Sequence, residues 1–312
     1  MNKLPSKASA FLAVTVILYG FTAAPSAEQP PEGVKKPQAI TLGIISEINR
    51  AAIADHFGDF VKYLAAKLAS ESNIEGKVVI APTPFQLAKL IEQRKVDFYM
   101  DSPYPTYLVN DVHGVARLLL RRWKGGLAEY RSLIFTKSNG EINRLEDLRG
   151  KLFVFEDPES TSGHFLPKFF LKQKGFKFAD KSRFNPNASP TDIGYIFAYS
   201  QRNLLDSVLS QKAAAGAFSD DDFAKLEQSQ RADIAILAQT QPLPRHFISV
   251  RKDLAPALVD RLEKVLLAMH ENEQGQRILK KTDDTTKFDR LPEGEAGLRR
   301  RLAEIFKPAE KN

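Results

Sequence analysis

Residues 155–176 read FEDPESTSGHFLPKFFLKQKGF and set three hydroxyls in a row, Ser160, Thr161 and Ser162, between a proline turn and an apolar run, with Gly163 directly after them. Hydroxyls at the start of a helix suit an anion. The first helical turn leaves four N–H groups without partners, its end of the helix dipole is positive, and the side chains add further donors. Gly163 has no Cβ to hold a neighbouring backbone away. Pro167 is tolerated at a helix start, which places that start near Ser162. One hydroxyl would suffice for an ordinary N-cap, so residue type alone leaves the cap and the anion site as competing readings.

Catalytic chemistry finds less support. The five histidines, His56, His113, His164, His246 and His270, are dispersed, and none stands at metal-binding spacing from nearby acids. The TSG triplet lacks the frame of a nucleophile elbow. His164, beside the hydroxyls, reads as a helix-face residue packed on the preceding strand rather than as a base. Without cysteine there are no disulfides, thiolate metal sites or lipid-modified cysteine. No catalytic residue, metal or cofactor is expected.

The chain that must position these groups has 312 residues, enough for two lobes or one large domain. Lys3 and Lys7 precede an uncharged apolar run, Ala8 to Phe21, that ends in small residues, which is the pattern of a cleaved secretory signal over 1–27. The run is too short for a spanning helix. Its removal leaves 43 basic against 38 acidic residues, a net charge of +5. The basic residues are scattered rather than gathered in a stripe, which speaks against nucleic acid. A soluble, monomeric protein of a Gram-negative-type periplasm fits best. Residues 28–38 form a proline-rich leader.

From Ala39 the pattern alternates: strand AITLGII, helix over 53–69, strand KVVIA, helix PFQLAKLIEQR, strand VDFYM. A glycine pair at 125–126 bends the chain into the strand of SLIFTK, which leaves the first lobe. A short helix LEDLRGK feeds the strand KLFVFE, and the hydroxyl stretch then opens a helix. Strand KAAAGAFS, a helix from Asp220 to Gln230 and strand DIAILAQ complete a second unit. The strand in PRHFISVRKDL returns to the first lobe, and two or three amphipathic helices close the chain. Such alternation implies largely parallel sheets, whose ligands sit beyond the carboxyl ends of the strands. The lobes are expected at 39–128 with 242–312, and at 129–241.

The stretch LEDLRGKLFVFEDPESTSGHFLPKFFLKQKGF resembles the signature of the periplasmic phosphonate-binding proteins of ABC transporters. LGIISE, KVDFYMDSPYPTYLV, YRSLIFTKSN and QPLPRHFISVRKDL agree with it in order, so that the likeness covers most of residues 40–255. The resemblance implies an α/β, two-lobed type II periplasmic-binding-protein fold with a mainly parallel sheet in each lobe and two hinge crossings. It implies a phosphonate, phosphate or phosphite held by Ser160, Thr161, Ser162 and Gly163, faced by loops at Ser46 and at Asp101, Ser102 and Tyr104, and delivered to an inner-membrane permease. A sensor partnered by a membrane kinase is the alternative, and a periplasmic enzyme a weaker one. Four sites depart from the family: Asp101 stands where a tyrosine is usual, TPF at 83–85 where another is, Gln201 where a histidine is and Ala214 where an acid is. Gln201, like Tyr199, reads either as a donor to the ligand or as a solvated cap. Asp101 reads either as a helix-capping loop residue or as a partner for a protonated ligand. Arg245 and His246 read as interlobe or surface pairs, so that no lysine or arginine need touch the anion.

Overall fold

The computed structural model describes residues 38–46, 50–69, 73–181 and 189–307. The expected signal and all of the leader but Gln38 lie outside the described residues. Strand β1 (Gln38–Ile45) leads to helix α1 (Arg50–Leu68), β2 (Ile74–Ala81), α2 (Pro84–Glu92) and β3 (Phe98–Asp101). Helix α1 buries Phe57, Phe60, Val61, Leu64 and Leu68, one face at helical spacing. Thr83 starts α2 by accepting the Gln86 N–H, with Pro84 in the first turn. The short helix α3 (Pro103–Tyr107) follows β3 and runs through a π-helical turn, Leu108–Val112, towards β4 (Ala116–Lys124).

The chain crosses to the second lobe through β5 (Glu129–Tyr130). That lobe holds β6 (Ser132–Lys137), β7 (Leu152–Phe155), α4 (Leu166–Gln173), β8 (Phe178–Asp180), β9 (Ile193–Phe197), α5 (Gln201–Leu209), β10 (Ala215–Ser219), α6 (Asp220–Lys225), α7 (Gln228–Ala232) and β11 (Ile234–Gln239). It crosses back through β12 (Leu243–Pro244), antiparallel to β5. The first lobe is then completed by β13 (His246–Arg251), α8 (Pro256–Ala268), α9 (Glu273–Lys281), β14 (Thr285–Asp289) and α10 (Gly294–Phe306).

Two six-stranded sheets result, in the orders β14-β4-β13-β3-β1-β2 and β11-β6-β10-β7-β9-β8. Strand β1 is parallel to β2 and β3, and β7 is parallel to β9 and β10. The strands next to the crossings, β13 against β3 and β6 against β10, run antiparallel. Helices cover both faces of each sheet. In the first lobe α1 and α8 bury one apolar cluster and α2 another, and the second lobe has a cluster on either side of β7 and β10.

A further cluster joins the lobes. Tyr107, Leu118 and Phe247 meet Leu166 of α4, Tyr130 and Leu243 of the crossing ribbon, and Leu298, Leu302 and Phe306 of α10. The Tyr104 ring stacks on Phe165 at 3.9 Å, and Phe306 lies 5.0 Å from Phe165. Trp123, the one tryptophan of the chain, sits on β4 with Lys287 4.0 Å and Arg121 5.6 Å from its ring. No helix among the described residues is long and apolar enough to cross a membrane.

Several segments differ from the sequence reading. The helix expected from Asp220 to Gln230 is two, because Leu226 is extended and the second starts at Glu227, whose N–H is accepted by the Gln230 side chain at 3.2 Å. LEDLRGK forms a tight 3-10 turn, Leu145–Leu148, before Gly150 takes φ +72. Strand β14 gave no apolar run to detect: TTKFD has one large apolar residue, Phe288, and its place comes from pairing with β4.

Candidate functional site

Strands β1, β3 and β7 end at one cleft between the lobes, with a cavity of about 390 Å³. The first lobe contributes Ile45, Asp101, Ser102 and Pro105; the second contributes Glu156, Asp157, Glu159, Ser160, Thr161, Ser162, Gln201 and Asp222. Lys124, Tyr130, Arg245 and His246, at or beside the crossings, complete the wall.

The hydroxyl stretch builds the turn that follows β7. Ser160, in extended conformation, is the N-cap and accepts the Gly163 N–H at 2.9 Å. Helix begins at Thr161, one residue before the expected start, as a π-helical turn that continues into α4, where Pro167 sits in the first turn. The N–H groups of Thr161 and Ser162 fall in the part of a helix that has no internal acceptors. Ser160 Oγ also donates to Glu156 at 2.8 Å, and the Ser162 carbonyl accepts from Ser132 Oγ at 2.6 Å. The turn is therefore fixed on both sides.

Thr161 reaches the other lobe. Its Oγ1 donates to Ser102 Oγ at 3.0 Å and accepts the Tyr104 N–H at 3.0 Å. Ser102 is the N-cap residue of α3, yet its own side chain caps nothing. Tyr104 occupies the second helical position, whose N–H a cap residue commonly satisfies, so Thr161 supplies from one lobe the cap of a helix in the other.

The charges in the cleft are mixed. Asp101 accepts the Ser102 N–H at 2.7 Å, and burial pushes its carboxyl up to about 7 despite that bond. Glu156 is likewise raised by burial, which the Ser160 hydrogen bond opposes. Arg245 is bound to Asp221 at 3.0 Å, and its guanidinium lies 4.3 Å from the Tyr130 ring centroid. Lys124 pairs with Asp283 at 2.8 Å, while burial lowers its pKa. Burial, reinforced by Arg122, Arg245 and Lys124, holds His246 well below its usual value and so neutral. The Tyr130 hydroxyl, Arg245 Nε and His246 Nδ1 are buried at this wall, and among the described residues none of them meets a partner at hydrogen-bonding geometry.

Of the residues expected from sequence, Ser160, Thr161, Ser162, Asp101, Ser102 and Gln201 lie on this cleft. Ser46 lies in an adjoining cavity of about 240 Å³ that shares Ile45, Asp157 and Glu159 with it. Gly163 stands behind the wall, where a Cβ would come within 2.6 Å of Glu156 Cβ; its role is to let the turn pack against that carboxylate. The Tyr104 ring packs in the aromatic cluster beneath, and its backbone N–H meets Thr161 at the cleft. Asp101 is not a cap in the ordinary sense, since it binds the next residue rather than the helix's second or third N–H. Ala214 lies at the opposite end of its strand, in a separate cavity with Lys137 and Lys151, so its identity says nothing about the ligand. The acid at the cleft end of that strand is Asp222.

Sequence reasoning missed Lys124, Tyr130, Glu156, Asp157, Glu159 and Asp222. Glu156, Asp157 and Glu159 were readable as neighbours of the hydroxyls, whereas Lys124, Tyr130 and Asp222 reach the cleft only through topology. His164 behaves as the sequence suggested. Its Nδ1 lies 2.9 Å from the Pro158 carbonyl and its Nε2 3.3 Å from Lys168 Nζ, and its ring packs edge-on to Phe155. Burial, then Lys168, pushes it down to about 4. Neither nitrogen bonds the hydroxyls.

Residues 42–292 match the family described as "ABC transporter, phosphonate, periplasmic substrate-binding protein". Among solved structures, XAC2383 from Xanthomonas citri bound to chloride ion is 25% identical with a TM-score of 0.80, over 88% of this chain and 99% of that one. The same protein bound to ATP gives 25% and 0.78, over 88% and 98%. PhnD1 from Prochlorococcus marinus (MIT 9301), in complex with methylphosphonate, is 17% identical with a TM-score of 0.66, over 88% and 100%; at that identity it speaks to the fold.

Proposed function

This chain belongs to the periplasmic phosphonate substrate-binding proteins of ABC transporters, and from that premise we propose that it captures a phosphonate- or phosphate-type oxyanion on the Ser160–Ser162 turn and presents it, as a monomer in the periplasm, to an inner-membrane permease. The observation that carries the reading is the position of that turn, on the interlobe cleft and facing Asp101 and Ser102. Two of the hydroxyls face the cleft as donors, Ser160 to Glu156 and Thr161 to Ser102. An incoming oxyanion takes these donors together with the first-turn N–H groups, and Arg245 Nε, which has no hydrogen-bond partner among the described residues, offers it one more. The raised pKa of Asp101 and Glu156 lowers the repulsion that five acidic side chains at one cleft would otherwise exert. That the 25% identical XAC2383 is seen with chloride and with ATP, both anionic, supports an anion site.

Closure of two lobes over the anion excludes water and strengthens each bond. Four to six charge-assisted hydrogen bonds, each worth roughly 1.5–3 kcal/mol before ordering costs, are sufficient for the roughly 8 kcal/mol of micromolar capture. Calorimetric titration with methylphosphonate, phosphate, phosphite and methanesulfonate tests the reading. Saturable binding of a phosphorus oxyanion without turnover is expected. Heat from none of them, or hydrolysis of a phosphate ester by the purified protein, refutes it.

A further inference from the structure

The adjoining cavity opens at the mouth of the cleft, with Ile45, Ser46 and Pro82 on the first lobe facing Pro158, Glu159 and Tyr199 on the second. It borders the anion site, since Ile45, Asp157 and Glu159 line both. Its volume of about 240 Å³ exceeds the roughly 150 Å³ of an apolar cavity that takes up benzene.

Tyr199 is anchored on one side only. Its ring lies 6.1 Å from that of Phe197, yet it is 60% exposed, and its backbone has φ +55. The other described non-glycine residues with positive φ are Arg94, Asn139, Gln211, Asp283 and Asp284, none of them aromatic. For a bulky side chain that conformation is costly and persists where the surroundings enforce it; here the Tyr199 N–H is held by the Glu156 carbonyl at 2.7 Å. Tyr199 directly precedes Ser200, the N-cap of α5. An apolar residue there ordinarily staples onto the fourth helical position, which is Leu204. Leu204 is instead buried in the lobe core while the Tyr199 ring stays at the mouth.

We propose that this mouth is a second subsite, in which Tyr199, with Pro82, Pro158 and Ile45, receives a planar organic group carried on the bound oxyanion. The ligand is then an aryl-bearing phosphonate or phosphate ester rather than a bare inorganic anion. Asp157 and Glu159 set its polarity, because two carboxylates at the rim exclude a planar group that is itself negative. The inference rests on the oxyanion reading above.

The test is calorimetric titration of the full protein with methylphosphonate, benzylphosphonate and 4-carboxybenzylphosphonate, repeated on Tyr199→Gly, which removes the ring and relieves the positive φ. Benzylphosphonate is expected to bind about tenfold more tightly than methylphosphonate. The 4-carboxy compound loses that gain. In Tyr199→Gly the ratio of benzyl to methyl affinity collapses to within about twofold. A benzyl compound no tighter than the methyl one, or a ratio unchanged in Tyr199→Gly, overturns the subsite and leaves the oxyanion reading standing. Binding of no phosphonate at all overturns both.

Discussion

Replacing Thr161 by valine tests the capping of one lobe by the other. The substitution keeps the shape of a side chain that is 2% exposed and deletes one oxygen. Two bonds go with it: the donation to Ser102 and the acceptance of the Tyr104 N–H. The first loss is mild, since Ser102 keeps Asp101 as a neighbour at 3.3 Å. The second leaves a helix N–H at a lobe interface without an acceptor, which costs about 1–3 kcal/mol, in the range also found for removing an N-cap. Both bonds join the two lobes, and the hydroxyl that donates to Ser102 is also a donor for the incoming oxyanion, so the substitution weakens ligand binding. Titration with methylphosphonate is expected to show binding weakened by about 5- to 150-fold, with circular dichroism and the folded baseline unchanged. Ser102→Ala, which removes only the milder contact, weakens binding by less. Thr161→Val affinity within twofold of the parent would refute the argument, because the hydroxyl would then contribute nothing to capture.

Asp101 makes binding depend on pH. Its carboxyl is raised to about 7, so between the ordinary carboxylate range and pH 7 the unfolded chain ionises while the folded one stays neutral. Stability of the ligand-free protein is fully present below that range and falls as pH rises through 7; thermal unfolding of Asp101→Asn between pH 5 and 8 loses this slope. Anion affinity of the parent weakens over pH 6–8 more than that of Asp101→Asn, which calorimetry at several pH values reads directly. Phe306→Ala empties a fully buried position in the aromatic cluster that joins the lobes and costs about 3–5 kcal/mol in denaturant unfolding. Arg245→Met leaves the buried Asp221 with the longer, half-exposed Lys225 pair at 3.7 Å and destabilises by up to about 3–5 kcal/mol in the same assay, whereas the double variant with Asp221→Leu recovers much of the loss.

The parts of the molecule readable from sequence are those governed by local rules. Helix α1 follows from its 3.6-residue apolar spacing, and β7 with the turn after it from a short apolar run ending in serines and glycine. Parallel strands then place that turn at a ligand cleft. What local rules do not reach is the wall supplied by the crossings. Lys124, Tyr130, Arg245 and His246 are far from the hydroxyls in sequence, and nothing in their own neighbourhoods distinguishes a cleft residue from a surface one. The same limit explains Ala214. A position counted along a strand shifts its end of the sheet when the strand starts later than supposed, and β10 begins only at Ala215. Strand β14 was hidden because edge strands need little apolar content to pair.

Trp123 gives this chain a reporter of its own. The only indole lies one residue before Lys124, which lines the cleft, and its ring has ammonium and guanidinium neighbours at 4.0 and 5.6 Å. Light emitted from such a ring is sensitive to the approach or withdrawal of those cations. Any shift of the crossing segment during capture is thus converted to a change in fluorescence, and lobe closure can be timed by stopped flow without attaching a dye.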